Sequence, residues 1–247
     1  MSRRARIAIF VPALLGLAAL LFWSVVDLPS FGNYRGPYGD VLNRVAVPER
    51  HTTNVVGATV FDYRGVDTLG EEFILFASVI GVVLLLRTAE REAGEGTDSD
   101  SIRSDALRLV GVLAAGAVTL VGLWLVAFGY ITPGGGFQGG IVIASGVLLV
   151  YLASSYRSWR RMTSERLFDP IGSTGAGGYV VVGLAALIAG TPFLHNLLGP
   201  GQSGTLFSGG SIAFLNWASA LEVAAANVVL YAEFLEEYIV PIARGRE

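Results

Sequence analysis

Nine residues, Thr132-Pro133-Gly134-Gly135-Gly136-Phe137-Gln138-Gly139-Gly140, sit at the junction of two uncharged apolar runs, roughly 107–131 and 137–156. At 1.5 Å per residue, about 20 helical residues cross the hydrocarbon core of a bilayer. Either run is long enough. The string contains a formal G-x-G-x-x-G match at Gly134, Gly136 and Gly139. That fingerprint binds a dinucleotide only when a buried strand precedes it and a soluble helix follows. Apolar runs on both sides make it instead the turn of a transmembrane hairpin. No Lys follows the glycines, and the chain has no Lys at all, so it is no Walker A loop either.

Scanning the rest of the chain for runs of the same kind gives six spans, roughly 7–26, 68–87, 107–131, 137–156, 174–193 and 211–235. The expected fold class is therefore an all-α integral membrane protein. The first span follows Arg3, Arg4 and Arg6 and ends Ser24-Val25-Val26-Asp27. Its apolar run is too long for a signal peptide and offers no small-x-small cleavage site, so it reads as a retained helix. With the N-terminus inside, the inner segments hold Arg3, Arg4, Arg6, Arg87, Arg91, Arg103, Arg108, Arg157, Arg160, Arg161, Arg166, Arg244 and Arg246. Arg35, Arg44, Arg50 and Arg64 all fall in the first outer segment. That bias places both termini in the cytoplasm.

The stretch 88–106 is acidic and rich in Gly and Ser, which reads as a disordered cytoplasmic linker. It divides the chain into a two-helix unit, 1–87, and a four-helix unit, 107–247. The outer segment 27–53, with Pro29, Pro37 and Pro48, reads as an irregular cap. The last four spans form two hairpins with Gly-rich outer turns at 132–140 and 199–210.

Composition narrows the chemistry. Charged residues make up 15% of the chain and mean hydropathy is +0.59; a soluble domain carries about 25% charged residues. Zero cysteines exclude disulfides, thiolate metal sites, cysteine nucleophiles and Cys-ligated iron–sulfur clusters. His51 and His195 lie in different segments and make no metal site by themselves. His195, after Thr191-Pro192-Phe193 at an outer helix end, reads as a surface or cap histidine. No cofactor is expected.

Acids inside the spans carry the remaining signal. The apolar core of the second span, 73–86, is short, so crossing the membrane recruits Thr68-Leu69-Gly70-Glu71-Glu72. Glu71 then lies about one turn inside the outer boundary, with Asp67 at i−4 on the same face. Thr68-x-x-Glu71 fits a helix capping box; the same carboxylates at a membrane entrance also suit attracting Na⁺ or H⁺. Glu222 falls near the bilayer centre of the last span, where an ionised acid costs about 2.5–3.5 kcal/mol. It must face protein or water, either as a hydrogen bond to a neighbouring helix or as part of an ion path. Ala218, Ala225 and Ala226 surround it with small residues suited to tight helix packing. Asn216 and Asn227 flank it off its face and read as interhelical glue.

The Thr132–Gly140 string with its flanking helices resembles the signature of the MnhB family, the B subunits of Mrp-type multisubunit Na⁺/H⁺ antiporters. The resemblance continues through Thr205-Leu206-Phe207-Ser208-Gly209-Gly210, Leu215-Asn216 and Leu221-Glu222-Val223-Ala224-Ala225, covering about 107–235. Asn54-Val55-Val56 and the run from Asp62 to Glu71 are similar to the end of the large A subunit, or to the small E subunit of membrane-bound hydrogenases. The resemblance implies an accessory subunit in the plasma membrane of a prokaryote. Its expected partners are other membrane subunits and the bilayer, with Na⁺ and H⁺ as candidate ions and no nucleic acid. It places Asp67 and Glu71 near the cation path and makes Pro133, Gly134, Gly135, Gly136, Phe137, Gln138, Gly139 and Gly140 a turn that positions helices. The same module in a complex-I-like hydrogenase or oxidoreductase is the nearest alternative; a purely structural scaffold is the next.

Overall fold

The computed structural model describes residues 3–26, 28, 32, 36–86 and 104–244. Among them are nine α-helices: α1 (Arg3–Val26), α2 (Pro37–Arg50), α3 (Val55–Ala58), α4 (Gly65–Leu86), α5 (Asp105–Ala127), α6 (Gly136–Ala153), α7 (Tyr156–Met162), α8 (Glu165–Ile188) and α9 (Ser211–Arg244). A π-helical turn, Thr59–Tyr63, links α3 to α4. No strand occurs among the described residues beyond one isolated bridge between Gly201 and Ser208. Six of the helices are long and apolar enough to cross a membrane, as the hydropathy pattern requires: Ile7–Val26, Gly65–Leu86, Asp105–Ala127, Gly136–Ala153, Arg166–Ile188 and Ser211–Glu236. The linker 88–106 lies almost wholly outside the described residues.

Two compact units divide the chain, residues 1–41 and 42–247. The first contains α1, a 24-residue helix with Pro12 inside it. Within the second, α9 is the central helix. In its most apolar window 67% of residues are buried, against 17% for α5, which therefore turns most of its surface away from the bundle. α9 packs against α4, α6 and α8, while α5 packs mainly on α6. An apolar cluster that includes Phe61, Tyr130, Tyr179, Leu194, Ile212 and Leu215 fills the end of the bundle that bears the 132–140 and 199–210 turns. Tyr156, Trp159 and Ala232 form a second cluster at the opposite end. There the Trp159 indole donates to the Val147 carbonyl (2.8 Å).

Three expectations change. The segment 27–53 is not irregular throughout, because Pro37 opens α2; a proline suits a first helical position, where its missing N–H has no partner to lose. The inner segment 157–173 contains α7 and the first turns of α8, with Pro170 accommodated inside α8. Hydropathy locates the membrane passage there, not the helix, which runs on into polar sequence. The third concerns Thr68. It sits one turn inside α4, buried, and donates to the Val60 carbonyl (2.6 Å), so it closes the π-helical turn and caps nothing.

Candidate functional site

The Gly-rich string begins α6 and wedges it between two other helices. A Cβ on Gly136 would lie 2.3 Å from the Asn216 carbonyl oxygen of α9, and one on Gly140 3.0 Å from that of Ala220. On the other side, a Cβ on Gly139 would lie 2.3 Å from Val126 and 2.8 Å from the Gly122 carbonyl of α5. The absence of side chains lets the three backbones meet. Asn216, expected as interhelical glue, donates to the Val126 carbonyl (2.7 Å) and ties α9 to α5. Asn227 does not: it donates to Val223 of its own helix (2.8 Å). Pro133 and Gln138 are exposed.

Asn54 secures the turn from outside the string. Its amide nitrogen donates to the carbonyls of Gly129 (2.6 Å) and Thr132 (3.2 Å). Its side-chain oxygen caps α3, accepting from Val56 N (3.1 Å) and Gly57 N (3.2 Å). The second Gly-rich turn is held the same way by Asn196, which donates to Gly209 O (2.9 Å) and accepts from Ser211 N (2.8 Å). Asn196 also donates to Asp62 (3.4 Å), and Asp62 in turn pairs with Arg50 (2.7 Å). Gly201, at φ +67°, leaves no room for a side chain, since its Cβ would fall on the Phe207 carbonyl. His195 is exposed, as expected. His51 hydrogen-bonds the Gly201 carbonyl. Thus the segment 50–62 and both outer turns form one hydrogen-bonded platform over the bundle.

The three acids singled out in the sequence do not converge. Asp67 is exposed and paired with Arg64 (Nε to Oδ2, 2.5 Å). Glu71 is exposed on α4 and lines a cavity of about 280 Å³ together with Thr68, Gly135, Gly136 and Gln138. Glu222 alone is deeply buried, at 1% exposure. Its partner is a residue that neither hydropathy nor the capping pattern singles out. Glu72, also 1% exposed, interacts with Glu222 across the α4–α9 contact. All four carboxyl oxygens are buried and none has a hydrogen-bond partner of normal geometry. Adjacent helix positions are about 100° apart, so Glu71 and Glu72 cannot face the same way. The buried face of α4 runs Gly65, Thr68, Glu72, Val79, a spacing of three, four and seven residues that selects Glu72.

α8 approaches this pair closely. A Cβ on Gly175 would lie 2.5 Å from the Glu222 backbone nitrogen and 3.0 Å from its Cβ, and one on Gly172 3.3 Å from the Ala225 Cβ. Tyr179, fully buried one turn further along, donates to the Gly65 carbonyl (3.0 Å) and stands within electrostatic reach of Glu72 and Glu71. Below Glu222, toward the C-terminal end of α4, lies a second cavity of about 280 Å³, between α4, α8 and α9. Phe76, Val83, Phe168, Asp169 and Val229 line it, with Glu222 among them. Glu72 lines neither cavity, so it belongs to the layer between them. No cluster of His, Cys, Asp or Glu suited to a metal ion occurs among the described residues.

Residues 106–229, half of the chain, match the family model described as a domain related to the MnhB subunit of Na⁺/H⁺ antiporter. The chain belongs to the MnhB family. The family's domain thus carries Glu222, Asn216 and the whole Gly-rich turn, whereas Glu71 and Glu72 come from the preceding part. Among curated relatives, the B subunit of a Na⁺/H⁺ antiporter from Bacillus subtilis is 29% identical over 105 residues, 42% of this chain and 70% of that one. Among solved structures, a chain of the membrane-bound sulfane sulfur reductase, an archaeal respiratory membrane complex, superposes with a TM-score of 0.71 at 28% identity. The match covers 95% of this MnhB-family chain and 98% of that one. A chain of the Mrp complex from Dietzia sp. DQ12-45-1b shares the fold, with a TM-score of 0.68 at 22% identity. Here 94% of this chain corresponds to 26% of the other, a stretch of a much longer polypeptide.

Proposed function

We propose that this MnhB-family chain is an accessory subunit of a multisubunit monovalent cation/proton antiporter, and that its buried acids belong to the ion path. The chain is a multi-pass protein of the cell membrane, and its partners are the other membrane subunits of such a complex. It acts as a transporter subunit and carries out no chemical conversion. By the resemblance, residues 1–87 would correspond to the end of a large antiporter subunit, joined through 88–106 to the MnhB domain. The observation that carries a part in the ion path is Glu222, an acid at 1% exposure that faces a second buried acid, Glu72, at the end of a cavity. A purely structural acid in such a place would meet a neutral or basic donor on a neighbouring helix instead of a second acid. Asp67 and Glu71, exposed at the other end, suit the collection of cations before they reach the buried site.

Replacing Glu222 with Gln in the assembled complex tests this reading. Gln fills the same volume and loses only the exchangeable charge. Na⁺-dependent collapse of a pH gradient in everted membrane vesicles is expected to fall at least about tenfold, equal to about 1.4 kcal/mol or more in the rate-limiting step. Full exchange with normal complex assembly would leave Glu222 a scaffold residue. The likeness to the sulfane sulfur reductase chain supports a second reading, the same module within a redox-driven membrane complex. Identification of the membrane subunits that co-purify separates the two.

A further inference from the structure

The Glu72–Glu222 pair supplies more than the presence of an acid. Two cavities approach it from opposite ends of the bundle, one past Thr68 and Glu71, the other past Asp169. Along α4 they are separated by the residues between Glu71 and Phe76, about 7 Å of helix. Only Glu72 of α4 places a buried polar group in that layer, and Glu222 on α9 opens from it into the second cavity. Among the described residues, the helices packed around the pair bring no counter-charge to it. α4 and α6 contain no basic residue, α9 has none before Arg244, and Arg166 on α8 stands at the first turn of its helix. Of the other titratable groups, Tyr179 on α8 stands within electrostatic reach of Glu72, Asp169 on α8 shares the second cavity with Glu222, and Glu71 on α4 points away from Glu72 into the first cavity. Two adjacent carboxylates in an apolar surround cannot both stay charged without a proton or a cation between them. Gly175 presents bare backbone to Glu222 and adds no side-chain donor to the pair.

Resting on the antiporter reading above, we propose that Glu72 and Glu222 form one occluded exchange site in which a proton and a monovalent cation compete for the same two carboxyls. The Glu71 cavity and the Asp169 cavity are its two entrances. Both carboxyls contribute oxygens to the cation and share one proton when it leaves, because in this apolar surround they cannot both stay charged alone.

Dicyclohexylcarbodiimide, which modifies protonated carboxyls in apolar surroundings, reads the site without turnover. The intact complex is treated in native membranes, and modified peptides are identified by mass spectrometry. Glu222 is expected to be modified at acidic pH in choline chloride. Modification should fall about tenfold in NaCl at about ten times the Kd for Na⁺. In Glu72→Gln, Glu222 remains reactive and the Na⁺ protection disappears. Should that variant not assemble, Glu72→Asp keeps both carboxyls at an altered spacing, and the Na⁺ concentration for half-protection is expected to move severalfold. Modification of Glu222 that ignores Na⁺, or protection that persists unaltered in either variant, overturns the exchange site. Because binding is read apart from exchange, loss of exchange in Glu222→Gln together with absent Na⁺ protection would leave the subunit assignment standing and remove only the site.

Discussion

Asn54 is one side chain on which two separate backbone segments depend. It caps α3 with its oxygen and holds the turn after α5 with its nitrogen. Loss of an N-cap costs about 0.5–2 kcal/mol and loss of each further hydrogen bond about 1 kcal/mol. Asn54→Ala is therefore expected to destabilise the purified protein by about 2–4 kcal/mol, seen as a lower apparent Tm. Asn54→Ser keeps the cap and loses the reach to Gly129 and Thr132, so it should lose roughly half as much. Equal losses in both variants would mean that the contacts to the turn contribute nothing. At this scale the sequence was only partly legible. Glu222 stood out because its depth follows from counting residues along an apolar run. Glu72 did not, although its phase relative to Gly65 and Thr68 singles it out once the start of α4 is known. Asn54 was visible only as part of a resemblance, since the carbonyls to which it donates lie at least 75 residues away.

Among the elements, α6 depends most on residues that have no side chain. Gly136, Gly139 and Gly140 let its first turn enter between α5 and α9 at backbone distance. Adding one methyl at Gly136 would place it 2.3 Å from the Asn216 carbonyl, and backbone cannot yield as a side-chain end can. Overpacking of this kind costs about 1–3 kcal/mol. Gly177 on α8 has open space where a Cβ would stand. Gly177→Ala should cost nothing and gain up to about 1 kcal/mol from helix propensity. Thermal denaturation of the two variants under identical conditions compares them directly, and a Gly136→Ala protein as stable as Gly177→Ala would refute the wedge. The hairpin around this string was legible because crossing a bilayer imposes a length, and length survives without tertiary information. α2, α7 and the first turns of α8 were not legible by that measure. They carry Pro, Arg and Ser and lie along segments that hydropathy scores as outside. What stabilises α7 is the burial of Tyr156 and Trp159 against α9 and α6, a tertiary fact.

For the molecule as a whole, the direction in which the bundle sits decides what its two cavities mean. The arginine distribution predicts that the Glu71 cavity, under the 132–140 turn, faces outside and that the Asp169 cavity faces the cytoplasm. On that orientation the inward side holds 13 of the 17 arginines, and the other four lie on the segment before α4. The chain's lack of cysteine makes the orientation directly measurable, because every introduced thiol is the only one this chain carries. Ser99→Cys in the acidic linker is expected to react with a membrane-impermeant maleimide only in everted vesicles. Ser203→Cys, exposed in the second outer turn, is expected to react only in intact cells or right-side-out vesicles. The opposite pattern would exchange the two entrances: Asp169 would then meet the outside, and Glu71 would collect ions from the cytoplasm. The carboxyl pair would remain between the cavities and the proton gradient would still set the cation's direction across the membrane, but the cation would meet the two cavities in the opposite order.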